Sequence, residues 1–300
     1  MTPISVVIPS SGNLSYVESL VQSMVDYLQA YSLEIIVVCN PSKMEMNQIL
    51  DRFQSLDIKV LQTDVIGVNH ARQMGLVKAT HQYVLFLDDD CRFTHSDQLT
   101  RIFVEISNHP DLFAVGGYYN STNFDLNSIA RAYAQNQMSW LKQGLVDSTQ
   151  KLHAYLIGGF FIMNKTMAGQ HSLSFDEAMI FGGTEKDFFL RANQLGLKMR
   201  LLDVSIEHFY PDVRLPYLIK VYKQGRGLRY INDKGLAFES KYLDFVEKNM
   251  FAIFFDTVFW SGYYLSKNEY ARYLQYLYKK TSDSLNEKKL LILNKLKKHL

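Results

Sequence analysis

The strongest constraint on the fold is the order of apolar segments between Met1 and Asp90. Ile4-Ser-Val-Val-Ile8 is a short β-branched run stopped by Pro9 and Gly12, the pattern of a buried strand. Ser15-Tyr-Val-Glu18 has capping-box spacing, and apolar residues recur with helical period at Val17, Leu20, Val21, Met24, Val25 and Leu28. Residues 34–38 form a second strand, ended by Asn40-Pro41, and Met46, Ile49, Leu50, Phe53 and Leu56 mark a helix. Residues 58–61 predict a third strand, 69–79 a helix, and 83–87 a fourth strand stopping at Asp88-Asp89-Asp90. Strands that alternate with helices need crossover connections, so the expected fold class is α/β, with a parallel central sheet covered by helices.

Ligands of such sheets bind beyond the carboxyl ends of the strands. That rule places residues 9–13, 39–42 and 88–90 along one rim. Beyond the rim, residues 113–119 and 155–163 read as strands, and 126–141 as a helix between them. Residues 184–195 predict a helix stopped by Gly196, residues 198–202 and 204–207 two short strands, and helix dominates from Leu215 onward.

The formal net charge of +2 conceals an asymmetry. Residues 1–212 hold 15 Lys/Arg against 22 Asp/Glu, a net −7; residues 213–300 hold 17 against 8, a net +9. The second stretch also carries 17 of the 40 Phe, Tyr and Trp residues. Two regions are therefore expected, an acidic α/β domain over 1–212 and a basic, aromatic-rich helical region over 213–300. Cys39 and Cys91 have no metal-binding spacing, and Met1-Thr-Pro has no basic leader pattern, so a cytoplasmic setting is expected. The most apolar window, residues 250–265, is too short to span a bilayer and carries Asp256.

Three constellations carry chemistry. Three adjacent aspartates after an apolar strand repel one another unless a cation or hydrogen-bond donors compensate. Their hard oxygens suit Mg2+ or Mn2+ with a diphosphate, and a solvated turn with a helix N-cap is the bland alternative. In Gly182-Gly-Thr-Glu-Lys-Asp-Phe-Phe-Leu-Arg191, Thr184 and Asp187 have capping spacing, and Arg191 can pair with Asp187 four residues earlier. Glu185 is left over by that explanation, and a carboxylate there can accept a proton from a substrate hydroxyl. His208 closes the set, either as a hydrogen-bonded structural residue or as a metal ligand.

Taken in order, these segments resemble glycosyltransferase family 2, which has the GT-A fold. The resemblance runs through Ser5-Val-Val-Ile-Pro9, Glu34-Ile-Ile-Val-Val38, Gly67-Val-Asn-His-Ala-Arg-Gln-Met-Gly75 and Tyr83-Val-Leu-Phe-Leu-Asp-Asp-Asp90. It continues in Leu156-Ile-Gly-Gly-Phe-Phe-Ile-Met163, Phe175-Asp-Glu177 and the segment from Glu185 to Gly196. It implies that Asp88 and Asp90 form the DxD element, Asp88 facing the ribose and Asp90 holding a metal with His208. It implies Glu185 as general base, with Asp187 as rival, because Thr184-Glu185 replaces the usual Glu-Asp pair.

The same resemblance places Pro9, Ser10, Asn40, Arg72, Asp88, Asp89, Gly158 and Gly159 around the donor. It brings the region after His208 over the donor or acceptor, so Lys223, Arg226 or Arg229 is expected near the diphosphate. Asn40 stands where the family often has an Asp against the nucleobase, and UDP is the expected carrier. The implied function is inverting transfer from a nucleotide sugar to a glycan, lipid-linked or protein acceptor, in cell-surface glycan or glycoconjugate synthesis. The rivals are a non-catalytic nucleotide-sugar binding module and a nucleotidyltransferase. The latter needs a basic phosphate loop, which Pro9-Ser-Ser-Gly-Asn13 lacks. A nucleic-acid partner is not expected, since the basic tail holds no recognised motif. Residues 285–300, with leucines at 290, 293, 296 and 300 beside five lysines, are expected to lie on a membrane surface or pack on another subunit.

Overall fold

The structure, a computed structural model, describes residues 2–39, 48–120, 141, 145–180, 182–209, 214–236, 250–265, 269 and 272–274. The chain divides into two compact units, Met1–Arg214 and Leu215–Leu300.

The first unit opens with β1 (Thr2–Ser10), α1 (Leu14–Tyr27), β2 (Tyr31–Cys39), α2 (Gln48–Arg52), β3 (Asp57–Gln62), α3 (Val68–Lys78) and β4 (Tyr83–Leu87). It continues through β5 (Cys91–Arg92), α4 (Asp97–Asn108), β6 (Leu112–Asn120), β7 (Leu145–Asp147), β8 (Leu152–His153) and β9 (Phe160–Asn164). It closes with α5 (Lys165–Gln170), α6 (Thr184–Gln194) and β10 (Lys198–His208). All ten strands join one sheet in the order β3-β2-β1-β4-β9-β6-β10-β8-β7, with β5 pairing β10. The leading half, β3-β2-β1-β4, is parallel, as alternation with helices requires.

The second half is mixed, because β9 runs antiparallel to both β4 and β6. Leu87 consequently pairs with Phe160, and the start of β9 lies against the end of β4. The predicted strand over 155–163 is therefore shorter than expected. Its first part leaves the sheet where Gly158 and Gly159 pass under charged side chains. The two strands expected over 198–207 are one strand with a register shift against β6 between Leu201 and Ser205. The capping box at Ser15 does not form: the helix begins at Leu14, Ser15 Oγ donates to Asn13 Oδ1 at 2.9 Å, and Glu18 pairs with Arg52 at 2.9 Å. The helix expected over 126–141 lies outside the described residues except at Leu141, which is helical. Asn40 and residues 285–300 also lie outside them.

The core beneath the rim is aromatic. Phe86 stacks on Phe161 at 4.8 Å, Phe161 meets Phe189 edge-on at 4.9 Å, and Phe175 stacks on Phe188 at 4.1 Å. These contacts bury the inner face of α6 and so fix where its first turn lies.

At the opposite, amino-terminal end of the parallel strands a buried carboxylate ties four segments together. Glu34, only 1% exposed, accepts from Ser5 Oγ at 2.5 Å, Lys59 Nζ at 2.5 Å, Thr80 N at 2.8 Å and Thr80 Oγ1 at 3.0 Å. Burial pushes its carboxyl up, but these donors outweigh burial and hold it at about 2, against an ordinary 4.5. A depressed carboxyl stabilises the fold above its unfolded value, and that contribution is lost as pH falls from about 4.5 toward 2. Glu34→Gln is expected to cost about 1–3 kcal/mol in urea unfolding at pH 7. The gap between variant and parent should narrow steadily below pH 4.5. A pH-independent gap would show that shape rather than charge is responsible.

The second unit contains α7 (Arg214–Asp233) and α8 (Met250–Leu265). The two helices approach backbone to backbone at a pair of glycines. A Cβ at Gly225 would lie 1.9 Å from the Phe259 carbonyl oxygen, and one at Gly262 2.0 Å from that of Tyr222. Arg229 donates to Glu269 at 2.8 and 3.1 Å and to Asp233 at 3.0 Å, and Asn232 donates to Tyr263 at 3.2 Å. No helix among the described residues is long and apolar enough to cross a membrane.

Candidate active site

β4 delivers Asp88, Asp89 and Asp90 to the carboxyl-end rim, and each is held differently. Asp88 is gripped on both oxygens: Arg72 donates to Oδ1 at 3.1 Å and Tyr119 to Oδ2 at 2.7 Å. Burial is the largest influence on its carboxyl and pushes it up. The charges of Arg72 and His208 and the Tyr119 hydroxyl outweigh burial, and the net shift is downward. Asp89 accepts from Ser10 Oγ at 2.6 Å, which links the ends of β4 and β1. Burial, reinforced by the neighbouring Asp88 charge, raises Asp89 to about 6.

Asp90 meets His208 instead. The two-residue strand β5 turns back antiparallel on β10 and pairs Cys91 with His208, bringing His208 Nε2 to 3.2 Å from Asp90 Oδ1. Asp88, Asp90 and His208 offer ligand atoms that all lie within 4.8 Å of one another. Neighbouring ligands around an octahedral ion with ~2.1 Å bonds sit about 3 Å apart. Two carboxylates and an imidazole at this spacing fit a small divalent cation such as Mg2+ or Mn2+, with Asp90 and His208 better placed than the doubly held Asp88. A cavity of about 170 Å3 opens beside Asp89 and Asp90, walled by Tyr16 and Phe209, whose rings lie 5.4 Å apart.

The turn before β9 supplies the floor. A Cβ on Gly159 would lie 2.2 Å from the Tyr119 hydroxyl and 2.3 Å from Asp88 Oδ2; one on Gly158 would lie 2.4 Å from an Arg72 nitrogen. Side chains are excluded at both positions by the groups that hold Asp88.

Arg72 also connects the aspartates to α6. It is 3% exposed and donates through its other terminal nitrogen to Thr184 Oγ1 at 3.3 Å; Thr184 in turn donates to Glu185 Oε2 at 3.3 Å. Asp187 is fully buried and accepts two hydrogen bonds from Arg191, at 2.9 and 2.7 Å. Of the two acidic residues in this turn, Asp187 is thus committed to a structural ion pair and Glu185 is the one at the rim. Lys186 lies over the Tyr155 ring, 5.3 Å from its centre. Burial lowers its ammonium to about 7, against the favourable charge of Glu185.

Pro9 and Ser10 end β1 on the same rim, paired with Val38 and Cys39. Arg226 and Arg229 belong to α7 in the second unit, where Arg229 is engaged by Glu269 and Asp233. Sequence reasoning missed Tyr119, Thr184 and Tyr155 as parts of this site. Tyr119 stands near the carboxyl end of β6, where the rim rule would have flagged it. Thr184 was read as a cap only, and no side-chain cap forms there.

Residues 5–171 match the model of glycosyl transferase family 2, more than half of the chain. The chain belongs to that family. Glu185 and His208 lie beyond the matched segment, so their places in this family member rest on the geometry above. A search of curated protein sequences returns no match.

Among solved structures, S. aureus TarS (residues 1–349) is similar at 17% identity, covering 89% of this chain and 73% of that one, with a TM-score of 0.55. The mannosyltransferase PcManGT from Pyrobaculum calidifontis, in complex with GDP-Man and Mn2+, is similar at 15% identity, covering 89% and 70%, with a TM-score of 0.58. Glucosyl-3-phosphoglycerate synthase from Mycobacterium tuberculosis, with Mn2+, UDP-glucose and phosphoglyceric acid, is similar at 16% identity, covering 80% and 82%, with a TM-score of 0.54. At these identities the likeness establishes a shared fold, and that fold is GT-A.

Proposed function

We propose that this family 2 glycosyltransferase moves a sugar from a nucleoside diphosphate carrier, UDP, to an acceptor hydroxyl, with inversion at the anomeric carbon. One observation carries the reading: the hydrogen-bonded run from Asp88 through Arg72 and Thr184 to Glu185. It couples a cation-type cluster to a single carboxylate at a helix start, the two parts that transfer with a charged leaving group needs. Complexes of TarS with UDP-GlcNAc and of glucosyl-3-phosphoglycerate synthase with UDP-glucose and Mn2+ support a uridine carrier, and the GDP-Man complex of PcManGT is the counterexample.

Asp90 and His208 would hold Mn2+ or Mg2+; such an ion, when bound, offsets the charge that develops on the departing diphosphate. Ser10 and Asp89 face the nucleoside side of the rim, and Asp88 is oriented by Arg72 and Tyr119 toward the ribose. Gly158 and Gly159 leave room for the donor sugar to pass close to the backbone. Glu185 takes the proton of the acceptor hydroxyl as that oxygen bonds to the anomeric carbon. The bond from that carbon to the diphosphate oxygen breaks on the opposite face, and its electron pair leaves with the nucleoside diphosphate. The acceptor is a hydroxyl of a glycan, a lipid-linked sugar or a protein.

Thermal unfolding with a panel of UDP and GDP sugars tests the donor. A true donor at about 100 times its Kd stabilises by about 2.7 kcal/mol, a Tm rise of roughly 4 °C for a chain of this size. The rise should require Mn2+ or Mg2+ and vanish with a chelator. Failure of every nucleotide sugar to stabilise the metal-loaded protein would remove the proposal.

A further inference from the structure

The second unit has features that sugar transfer leaves unused. Residues 213–300 carry a net +9 and 17 aromatic residues, while the first 212 residues carry −7. Helix α8 reads MFAIFFDTVFWSGYYL, with Asp256 its one charged residue. Sixteen residues rise about 24 Å, less than the ~30 Å of a bilayer core. Such a helix is apolar enough for lipid and too short to span it.

Its carboxyl-terminal part bears an aromatic cluster. Trp260 lies 5.2 Å from Tyr263 and 5.7 Å from Tyr264, and Tyr264 lies 6.4 Å from Tyr273, all four only partly buried. Tyrosine favours the level of lipid headgroups, where the ring is in hydrocarbon and its polar edge in water, while the Trp260 ring nitrogen is turned into the protein.

Among the described residues of this unit, two large aliphatic side chains are exposed, Ile219 at 47% and Leu274 at 63%. Each stands beside basic groups. Lys220 and Lys223 are exposed next to Ile219 on α7, and the Arg272 side chain, two residues before Leu274, is 68% exposed. Apolar anchors flanked by bases combine the two forces that hold a protein on a charged lipid surface.

We propose that the second unit docks this protein onto an anionic lipid bilayer. A like unit of a second copy is the poorer occupant, because two +9 regions repel. A nucleic acid would use the bases but leave α8 and its aromatic cluster unexplained. The proposal rests on this unit alone and needs neither donor nor metal, so its failure and that of the transfer reading are distinguishable.

Flotation of the full chain with vesicles of equal parts phosphatidylcholine and phosphatidylglycerol, against phosphatidylcholine alone, is the test. The protein should float with the anionic vesicles, bind the neutral ones at least about tenfold more weakly, and be released as salt rises. Each basic residue near an anionic surface strengthens binding by about fivefold, so a Lys220→Gln/Arg272→Gln variant should bind about 25-fold more weakly. Those residues are exposed, and donor-dependent thermal stabilisation in solution should be unchanged in that variant.

A second readout uses the two tryptophans, Trp140 and Trp260. In a Trp140→Phe variant, Trp260 emission should be quenched by brominated acyl chains of anionic vesicles. Absence of flotation with anionic vesicles at low salt, or equal partition into neutral ones, would overturn the proposal. So would a stable dimer in sedimentation that leaves Trp260 unquenched.

Discussion

Replacing Glu185 by Gln is expected to lower kcat by about 10²–10⁴-fold while donor-dependent thermal stabilisation persists. The amide keeps the size of the side chain and still accepts from Thr184 Oγ1, which lies 3.3 Å from the carboxylate, so the link to Arg72 survives. What it loses is the ability to take a proton. Asp187→Asn is the necessary comparison, because the two acids share a helical turn and the sequence allowed either to be the base. Asp187 is fully buried against Arg191, and weakening that pair should lower stability by about 3 kcal/mol. The expected signature is a crossed pattern, with turnover lost and folding intact in one variant and folding weakened in the other. If Glu185→Gln turns over at the parent rate, Glu185 is not the base. If neither parent nor variant transfers or hydrolyses any stabilising nucleotide sugar, the chain is a binding module.

Gly159→Ala is expected to cost about 10²-fold in kcat/KM through a single methyl group. The added carbon would sit 2.2 Å from the Tyr119 hydroxyl and 2.3 Å from Asp88 Oδ2, distances no unbonded pair sustains. Asp88 must move, and its movement breaks the 2.7 Å bond from Tyr119 and disturbs the 3.1 Å bond from Arg72. A displacement of about 1 Å in a positioned group is enough for losses of this order. Paramagnetic resonance of bound Mn2+ would report the same displacement at the cation cluster. Tyr119→Phe should reproduce part of the defect, since it removes one of the two donors to Asp88 without adding bulk. Parent-like activity in Gly159→Ala would mean that Asp88 has no fixed role.

The two variants differ in how visible their targets were beforehand. Glu185 stood out because helix capping explained its neighbours and not itself, and a short segment holds the whole argument. Asp88 to Asp90 stood out because three like charges follow an apolar strand. The grip on Asp88 was not visible, since Arg72, Tyr119, Gly159 and Thr184 come from four separated segments and no local pattern joins them. His208 was visible only as a histidine at a strand end, a position with an ordinary structural explanation.

Strand periodicity missed one further point. An apolar run over 155–163 fits a buried strand in either direction and does not record where pairing starts. Strand pairing begins at Phe160, and just before it Gly158 and Gly159 lie pressed under Arg72 and Asp88, a long-range steric fact. Similarly, the break at Leu201–Ser205 looked like two strands because hydrophobic patterning reports burial, and a register shift interrupts burial without ending the strand.

From sequence alone, the alternation of β-branched runs with amphipathic helices determined an α/β fold, its parallel half and the rim that carries the candidate site. Charge arithmetic separated an acidic region from a basic, aromatic one, because both properties are local sums over adjacent residues. Tertiary structure alone decided that β9 runs antiparallel beside β4 and that β5 folds back on β10. Those two pairings set Gly159 against Asp88 and His208 against Asp90. The physical reason is that strand direction and partner depend on contacts between residues far apart in the chain, and the reactive geometry is made of those contacts.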